Sequence, residues 1–265
     1  MKKVLASIII TCFNKDRFIK NTIQSAINQK YITKEIIVYD DNSNDRSMEF
    51  IKEFKNIKIL KNNLKKKKSG PLNQINAIIR SFLKSKGEFI FFLDGDDEFK
   101  KNKIKKIIDL FRINKKFDLI QDKPYLIKKK KIINLKIKRN FFSIWPSVYP
   151  TSCIAVRRKF FKNFLRYSEK NKYNHLEIDA RLVMFSFLKK KNLLINRSYT
   201  NYHIDNHGIT SGYRKFSKNW WKKRKDAFEY FKFLHSKLNL TFLKGSDYYF
   251  TKFLNFLLIR IFGDH

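Results

Sequence analysis

The chain has 265 residues, of which 43% are hydrophobic and 16% aromatic, with only 7 Gly and 4 Pro. That supplies the core of one large domain, or of one domain plus an appendage, and excludes a disordered or loop-dominated protein. Lys and Arg number 59 against 23 Asp and Glu, a formal net charge of +36, so the surface suits polyanions: nucleic acid, anionic lipid head groups or sugar nucleotides.

Residues 4–12 read as a buried strand. Met1-Lys2-Lys3 followed by an apolar run mimics a secretory leader, but the run stops at Thr11-Cys12-Phe13-Asn14 with no small-residue cleavage site. Residues 16–28 carry Phe18, Ile19, Ile23 and Ile27 at helical spacing, with Asp16 as candidate cap. A second apolar strand over 35–39 ends in Asp40-Asp41-Asn42-Ser43-Asn44-Asp45. A short helix with Met48, Ile51 and Phe54, a strand over 57–60 and a basic loop at 65–68 follow. Residues 71–84 form an amphipathic helix, and 88–93 a fourth strand that runs into Asp94-Gly95-Asp96-Asp97. This alternation of buried strands and helices predicts a mainly parallel α/β sheet, and in such sheets ligands bind beyond the carboxyl ends of the strands.

Farther on, 103–113 read as a helix, 117–121 as a strand, 128–131 as a basic turn, 132–138 as an edge strand and 152–157 as a strand. Residues 177–189, 220–234 and 248–262 read as helices, the last two making a helical tail. Cys12 and Cys153 give neither a disulfide framework nor a metal-site spacing, which fits a reducing cytoplasm. His203 and His207 flank Asp205, but they lack the further ligands of a metal site. No stretch approaches the roughly 20 apolar residues of a membrane span.

Three carboxylates within four residues at the end of a buried strand repel one another and lose hydration unless a cation neutralises them. Oxygen donors suit Mg²⁺ or Mn²⁺ shared with a diphosphate. Gly95 lets the chain turn tightly and a ligand approach. In this reading Asp40 and Asp41 accept hydrogen bonds from a base or ribose, Asp94 takes the ribose side, and Asp96 and Asp97 hold the metal. The bland alternative is an acidic turn. The net charge alone also leaves open a basic polyanion-binding protein without catalysis. No nucleic-acid-binding motif is present, however, and the lysines are spread along the whole chain, so no nucleic acid partner is expected.

The segments Ser7-Ile8-Ile9-Ile10-Thr11-Cys12-Phe13-Asn14, Val38-Tyr39-Asp40-Asp41-Asn42-Ser43-Asn44-Asp45 and Leu93-Asp94-Gly95-Asp96-Asp97 resemble, in order and spacing, the motifs of family 2 glycosyltransferases. The resemblance implies a GT-A-like nucleotide-binding domain at 1–212, with a nucleotide-sugar half at 1–100 and an acceptor half at 101–212. A helical extension at 213–265 follows. It implies that Thr11, Phe13, Asn14, Asp40, Asp41 and Asp94 serve the nucleotide, and that Asp96 with Asp97 binds Mn²⁺ or Mg²⁺. Inverting members use a carboxylate base at the start of a helix. The nearest match is Glu177-Ile178-Asp179, with Asp179 the first candidate and Glu177 in reserve. Phe13 stands where Tyr is usual, Asn42 where Gly is usual, and Lys101 where Pro often follows the acidic motif. Asn tolerates the left-handed backbone that such a Gly provides. His203 stands at an Arg position near the diphosphate.

The implied activity is metal-dependent inverting transfer from a nucleotide-sugar to the hydroxyl of a glycan or lipid-linked acceptor, in cell-surface polysaccharide synthesis. The expected location is the cytoplasm, with peripheral contact at the anionic inner membrane leaflet. Trp220 and Trp221 suit either sugar stacking or tail packing. The apolar stretch 248–261, interrupted by Lys252, Asn255 and Arg260, suits a membrane interface or a packed helix equally.

Overall fold

The computed structural model describes residues 4–63, 69–128, 131–134, 145–204 and 208–262. The basic loop at 65–68, part of the turn at 128–131, the edge strand beyond 134, and Asp205 and His207 lie outside these residues. The strands are β1 (Ala6–Cys12), β2 (Lys34–Asp40), β3 (Lys58–Lys61), β4 (Phe89–Asp94), β5 (Glu98–Phe99), β6 (Leu119–Lys128), β7 (Lys131–Asn134), β8 (Ile154–Arg157) and β9 (Asn192–His203). The helices are α1 (Ile19–Ile27), α2 (Ser47–Lys52), α3 (Gly70–Lys84), α4 (Lys103–Ile113), α5 (Arg158–Phe164), α6 (Ile178–Leu188), α7 (Lys218–Lys237) and α8 (Ser246–Phe262).

The strands form one sheet in the order β3-β2-β1-β4-β8-β6-β9-β5, with β7 paired to β6. Strands β1 to β4, β6 and β9 run one way, and β5, β7 and β8 the other. The mainly parallel α/β sheet and helical tail expected from the sequence are therefore present. Alternation along β1 and β4 builds the core on both faces. Ile9, Ile90 and Phe92 pack with α3, α5, α6 and α7 through Ile75, Phe161, Phe185 and Phe231. Ile8, Ile10, Phe91 and Leu93 pack with α1 and α4 through Ile23 and Ile108.

Several local readings are corrected. Asp16 does not cap α1: its own backbone N–H donates to Asp45 Oδ2 at 3.0 Å, and Phe18 is the N-cap with no side-chain cap bond. The first residues of the 152–157 strand belong to a 3-10 turn, Thr151–Cys153. Strand β6 continues well past residue 121 because Pro124 falls at a register shift against β9, where a missing N–H breaks no ladder bond. α5 and β9 were not anticipated at all.

Candidate active site

Register brings the acidic segments together before any side chain is considered. β1 lies between β2 and β4, with Cys12 opposite Asp40 and Thr11 opposite Asp94. All three strands are parallel, so their carboxyl ends and the loops after them share one sheet edge. The loops are tied to each other. Asn14 N donates to Ser43 Oγ at 3.0 Å, and Asn14 Oδ1 accepts from Asn44 N at 3.0 Å. Asp40 is buried and turns inward to accept from Ser43 N at 3.1 Å. Asn42 takes the left-handed conformation, φ 63°, and Asn14 does so at φ 52°. Asp41 accepts from Asn62 Nδ2 at 2.7 Å.

The acidic turn divides its carboxylates. Asp94 Oδ1 accepts from Thr11 Oγ1 at 3.0 Å and from Gln74 Nε2 at 2.9 Å. Burial and then the neighbouring Asp96 push its pKa up to about 6. Gly95 lies against β1: its N–H donates to Thr11 O at 2.8 Å, and a Cβ there would meet the same oxygen at 3.0 Å. Asp96 is half-buried, and its Oδ2 lies 2.6 Å from Lys15 Nζ. Asp97 is fully buried; Ser152 Oγ donates to one carboxylate oxygen and His203 N to the other at 2.9 Å. Burial first, then Asp96 and Asp94, raise its pKa well above the usual range.

The second carboxylate pair stands at the start of α6. Glu177 is the N-cap residue, and Asp179 lies in the first turn, where the helix dipole favours negative charge. Asp179 Oδ1 accepts from Ala180 N at 2.6 Å, and Oδ2 from Thr151 Oγ1 at 3.4 Å. Burial, then the charge of Glu177, raise its pKa to about 7, and Asp94 adds to the effect. Glu177 Oε1 accepts from Lys223 Nζ at 2.5 Å, whereas its buried Oε2 has no hydrogen bond among the described residues. The preceding loop is held by Arg181, whose fully buried guanidinium donates to the carbonyls of Ser168, Glu169, Lys172, Tyr173 and Leu176.

One cleft of about 1290 Å³ joins these parts. Thr11, Phe13, Asp41, Asp94, Asp96, Glu177 and Asp179 line it; Asn14, Asp40 and Asp97 do not. Those three brace the loops from behind. A wide cleft with convergent carboxylates of perturbed pKa is a candidate binding and reaction site.

A family model described as Glycosyl transferase family 2 matches residues 7–165, more than half of the chain. The chain belongs to this family. Over 115 residues, 43% of this chain and 43% of the relative, it is 36% identical to the Escherichia coli protein named UDP-Glc:alpha-D-GlcNAc-diphosphoundecaprenol beta-1,3-glucosyltransferase WfaP. Over 111 residues, 40% of this chain and 24% of the relative, it is 36% identical to the minor teichoic acid biosynthesis protein GgaA of Bacillus subtilis. The chain thus spans less than half the length of these curated relatives. S. aureus TarS 1–349 in complex with UDP-GlcNAc superposes with a TM-score of 0.64 at 15% identity, over 97% of this chain and 73% of that one. The mannosyltransferase PcManGT from Pyrobaculum calidifontis, in complex with GDP-Man and Mn²⁺, gives 0.59 at 10% identity, over 95% and 69%. These likenesses establish the GT-A-like fold.

In this family 2 chain, the cleft also holds residues that the sequence did not single out. Lys15, Gln74, Thr151, Arg214, Lys223 and Arg224 all line it. The cations among them were hidden in a chain with 59 Lys and Arg. Lys15 alone had a usable signal, as the residue after the Thr11–Asn14 motif.

Proposed function

We propose that the chain moves a sugar from a nucleotide diphosphate sugar to an acceptor hydroxyl by a single inverting displacement, with Asp179 as base. The observation that carries this reading is one cleft lined both by Asp94 and Asp96 and by Asp179, whose pKa lies at about 7. A base works best when its pKa lies near the working pH. In the step, the acceptor O–H loses its proton to the Asp179 carboxylate as the oxygen forms a bond to the anomeric carbon. The bond from that carbon to the diphosphate breaks, and the nucleotide leaves with the electron pair. Glu177, held by Lys223, keeps the proton affinity of Asp179 high rather than acting as base itself.

On the donor side, Asp41 and Thr11 offer hydrogen bonds to base and ribose, and exposed Phe13 offers an apolar face. Names of relatives and neighbours support UDP-sugars as the first donors to test and GDP-sugars as the second. They likewise support a lipid-linked or cell-surface glycan as acceptor. For a divalent ion, no group of three or more His, Cys, Asp or Glu is assembled among the described residues. What is present fits a shared site. Asp96 lines the cleft, and so does His203, whose buried Nδ1 has no hydrogen-bond partner among those residues. Mg²⁺ and Mn²⁺ are commonly held by one or two protein donors plus phosphate and water. Bound by Asp96 and His203, such an ion would neutralise the diphosphate charge that develops on leaving. Lys15, Arg214 and Arg224 add fixed positive charge to the same cleft.

The test is transfer from labelled UDP-sugars, and then GDP-sugars, to polyprenyl-diphosphate sugars with Mn²⁺ present. The expected product has inverted anomeric configuration, and Asp179→Asn lowers kcat about 10²–10⁴-fold. A product of retained configuration, or an Asp179→Asn enzyme of unchanged kcat, would overturn the proposal.

A further inference from the structure

Helix α8 has two unlike faces. Tyr248, Thr251 and Asn255 are buried, and Asn255 Nδ2 donates to Trp221 O of α7 at 3.0 Å. On the other side, Tyr249, Phe250, Phe253 and Phe256 are each more than half exposed. Their spacing of three and four residues puts them on one stripe. A contiguous exposed aromatic stripe is uncommon on a monomer and marks an interaction surface.

The stripe continues to the cleft. The Phe250 ring lies 5.8 Å from Trp221, which lies 4.6 Å from Trp220. Phe216, 64% exposed, lies 5.3 Å from Trp220. Trp220 itself lines the cleft. An aromatic path therefore connects the outer face of α8 to the cleft mouth.

Charge selects the occupant. Residues 213–262 carry twelve Lys and Arg against three Asp and Glu. Lys172, Lys218, Lys222 and Lys225 surround a second concavity of about 380 Å³, whose wall includes Asn255 and Leu258 of α8. That concavity lies on the α8 face turned toward α7; beside the stripe itself stand exposed Lys252 and exposed Lys215, whose Nζ lies 4.8 Å from the Phe216 ring centroid. A second copy of this chain would bring the same positive charge against itself. An anionic bilayer matches both features, taking the rings at the boundary of head groups and acyl chains and the lysines at the phosphates. No helix among the described residues is long and apolar enough to cross a membrane, so the contact lies in the bilayer surface.

We propose that the outer face of α8, together with Phe216, docks on an anionic phospholipid bilayer and brings the cleft mouth to its surface. The docking stands on these exposures and charges; its purpose, meeting a lipid-linked acceptor, rests on the function proposed above. The experiment is co-sedimentation of the full chain with vesicles of phosphatidylcholine alone or mixed with phosphatidylglycerol, no glycan being present. Binding is expected only to the mixed vesicles and should weaken with salt. Phe250→Gln, Phe253→Gln and Phe256→Gln together should lower the partition coefficient about tenfold or more while melting temperature and nucleotide binding stay unchanged. Lys215→Glu with Lys252→Glu should weaken binding to the mixed vesicles with the stripe intact. No vesicle binding by the wild-type chain, undiminished binding by the triple aromatic variant, or a dimer that this variant dissociates would overturn the proposal. A chain that ignores vesicles but still binds nucleotide would sink the docking and leave the proposed transfer standing.

Discussion

Asp179 holds its proton to about pH 7 because burial penalises its charge and Glu177 lies beside it. The protonated acid cannot accept a proton, so kcat should fall as pH drops below about 7. Glu177→Gln removes a raising charge and leaves Lys223 nearby, so the acid limb of the kcat profile should move to lower pH. A limb that stays in place would separate Glu177 from the base. Asp94 makes a different prediction. Its folded pKa of about 6 lies above the 3.8 of an ordinary Asp, so the folded state keeps a proton that the unfolded chain releases earlier. Its contribution is fully present below about 4 and lost as pH rises through 6. At pH 7.5, Asp94→Asn should therefore melt several degrees higher, provided that Asn keeps the acceptor used by Thr11 and Gln74. Turnover should fall in the same variant, and a lower melting point would contradict the burial account. At this scale the carboxylates were legible because acidic residues are few and clustered. Arg214 and Lys223 were not, because nothing local distinguishes them from the other cations.

The turn that supports Asp94 and Asp97 is held by a buried ion pair between elements. Lys103 Nζ of α4 donates to Asp122 Oδ1 of β6 at 2.7 Å, to Ser152 O at 2.6 Å and to Thr200 Oγ1 of β9 at 2.6 Å. Lys103→Met leaves Asp122 buried without its charge partner, and should cost about 3–5 kcal/mol in denaturant unfolding. A loss under 1 kcal/mol would mean that the pair does not anchor these strands. Phe161 joins Phe82, Phe92 and Phe164 in ring contacts between α3, β4 and α5. Phe161→Ala should cost about 3–5 kcal/mol. Strands β1, β2 and β4 were legible because they are apolar on both faces. β9 was not: much of it is half-buried or exposed, with Asn192, Arg197 and Ser198 interrupting any alternation. α5 is seven residues long, too short to show helical periodicity.

Across the whole molecule, the parallel half of the sheet delivers Thr11, Asp41, Asp94 and Asp96 to one edge, and the elements after β8 bring Asp179, Lys223 and Trp220 to the facing wall. The first half was readable from motif order. Of the facing wall, Glu177, Asp179 and Trp220 were singled out, but Lys223 and Arg224 of α7 were not, because α7 reaches the cleft only through tertiary packing. The account requires that a nucleotide and a divalent ion bind together in this cleft. The measurement that tests it most directly is the thermal midpoint of the chain with UDP or GDP, each with and without Mn²⁺, beside Asp96→Asn. A ligand that binds only the native state raises the midpoint by mass action. The account predicts a rise with one nucleotide that needs Mn²⁺ and disappears in Asp96→Asn. An equal rise without the ion, or one that survives Asp96→Asn, would contradict the assignment of Asp96; no rise with any pair would contradict the nucleotide site itself.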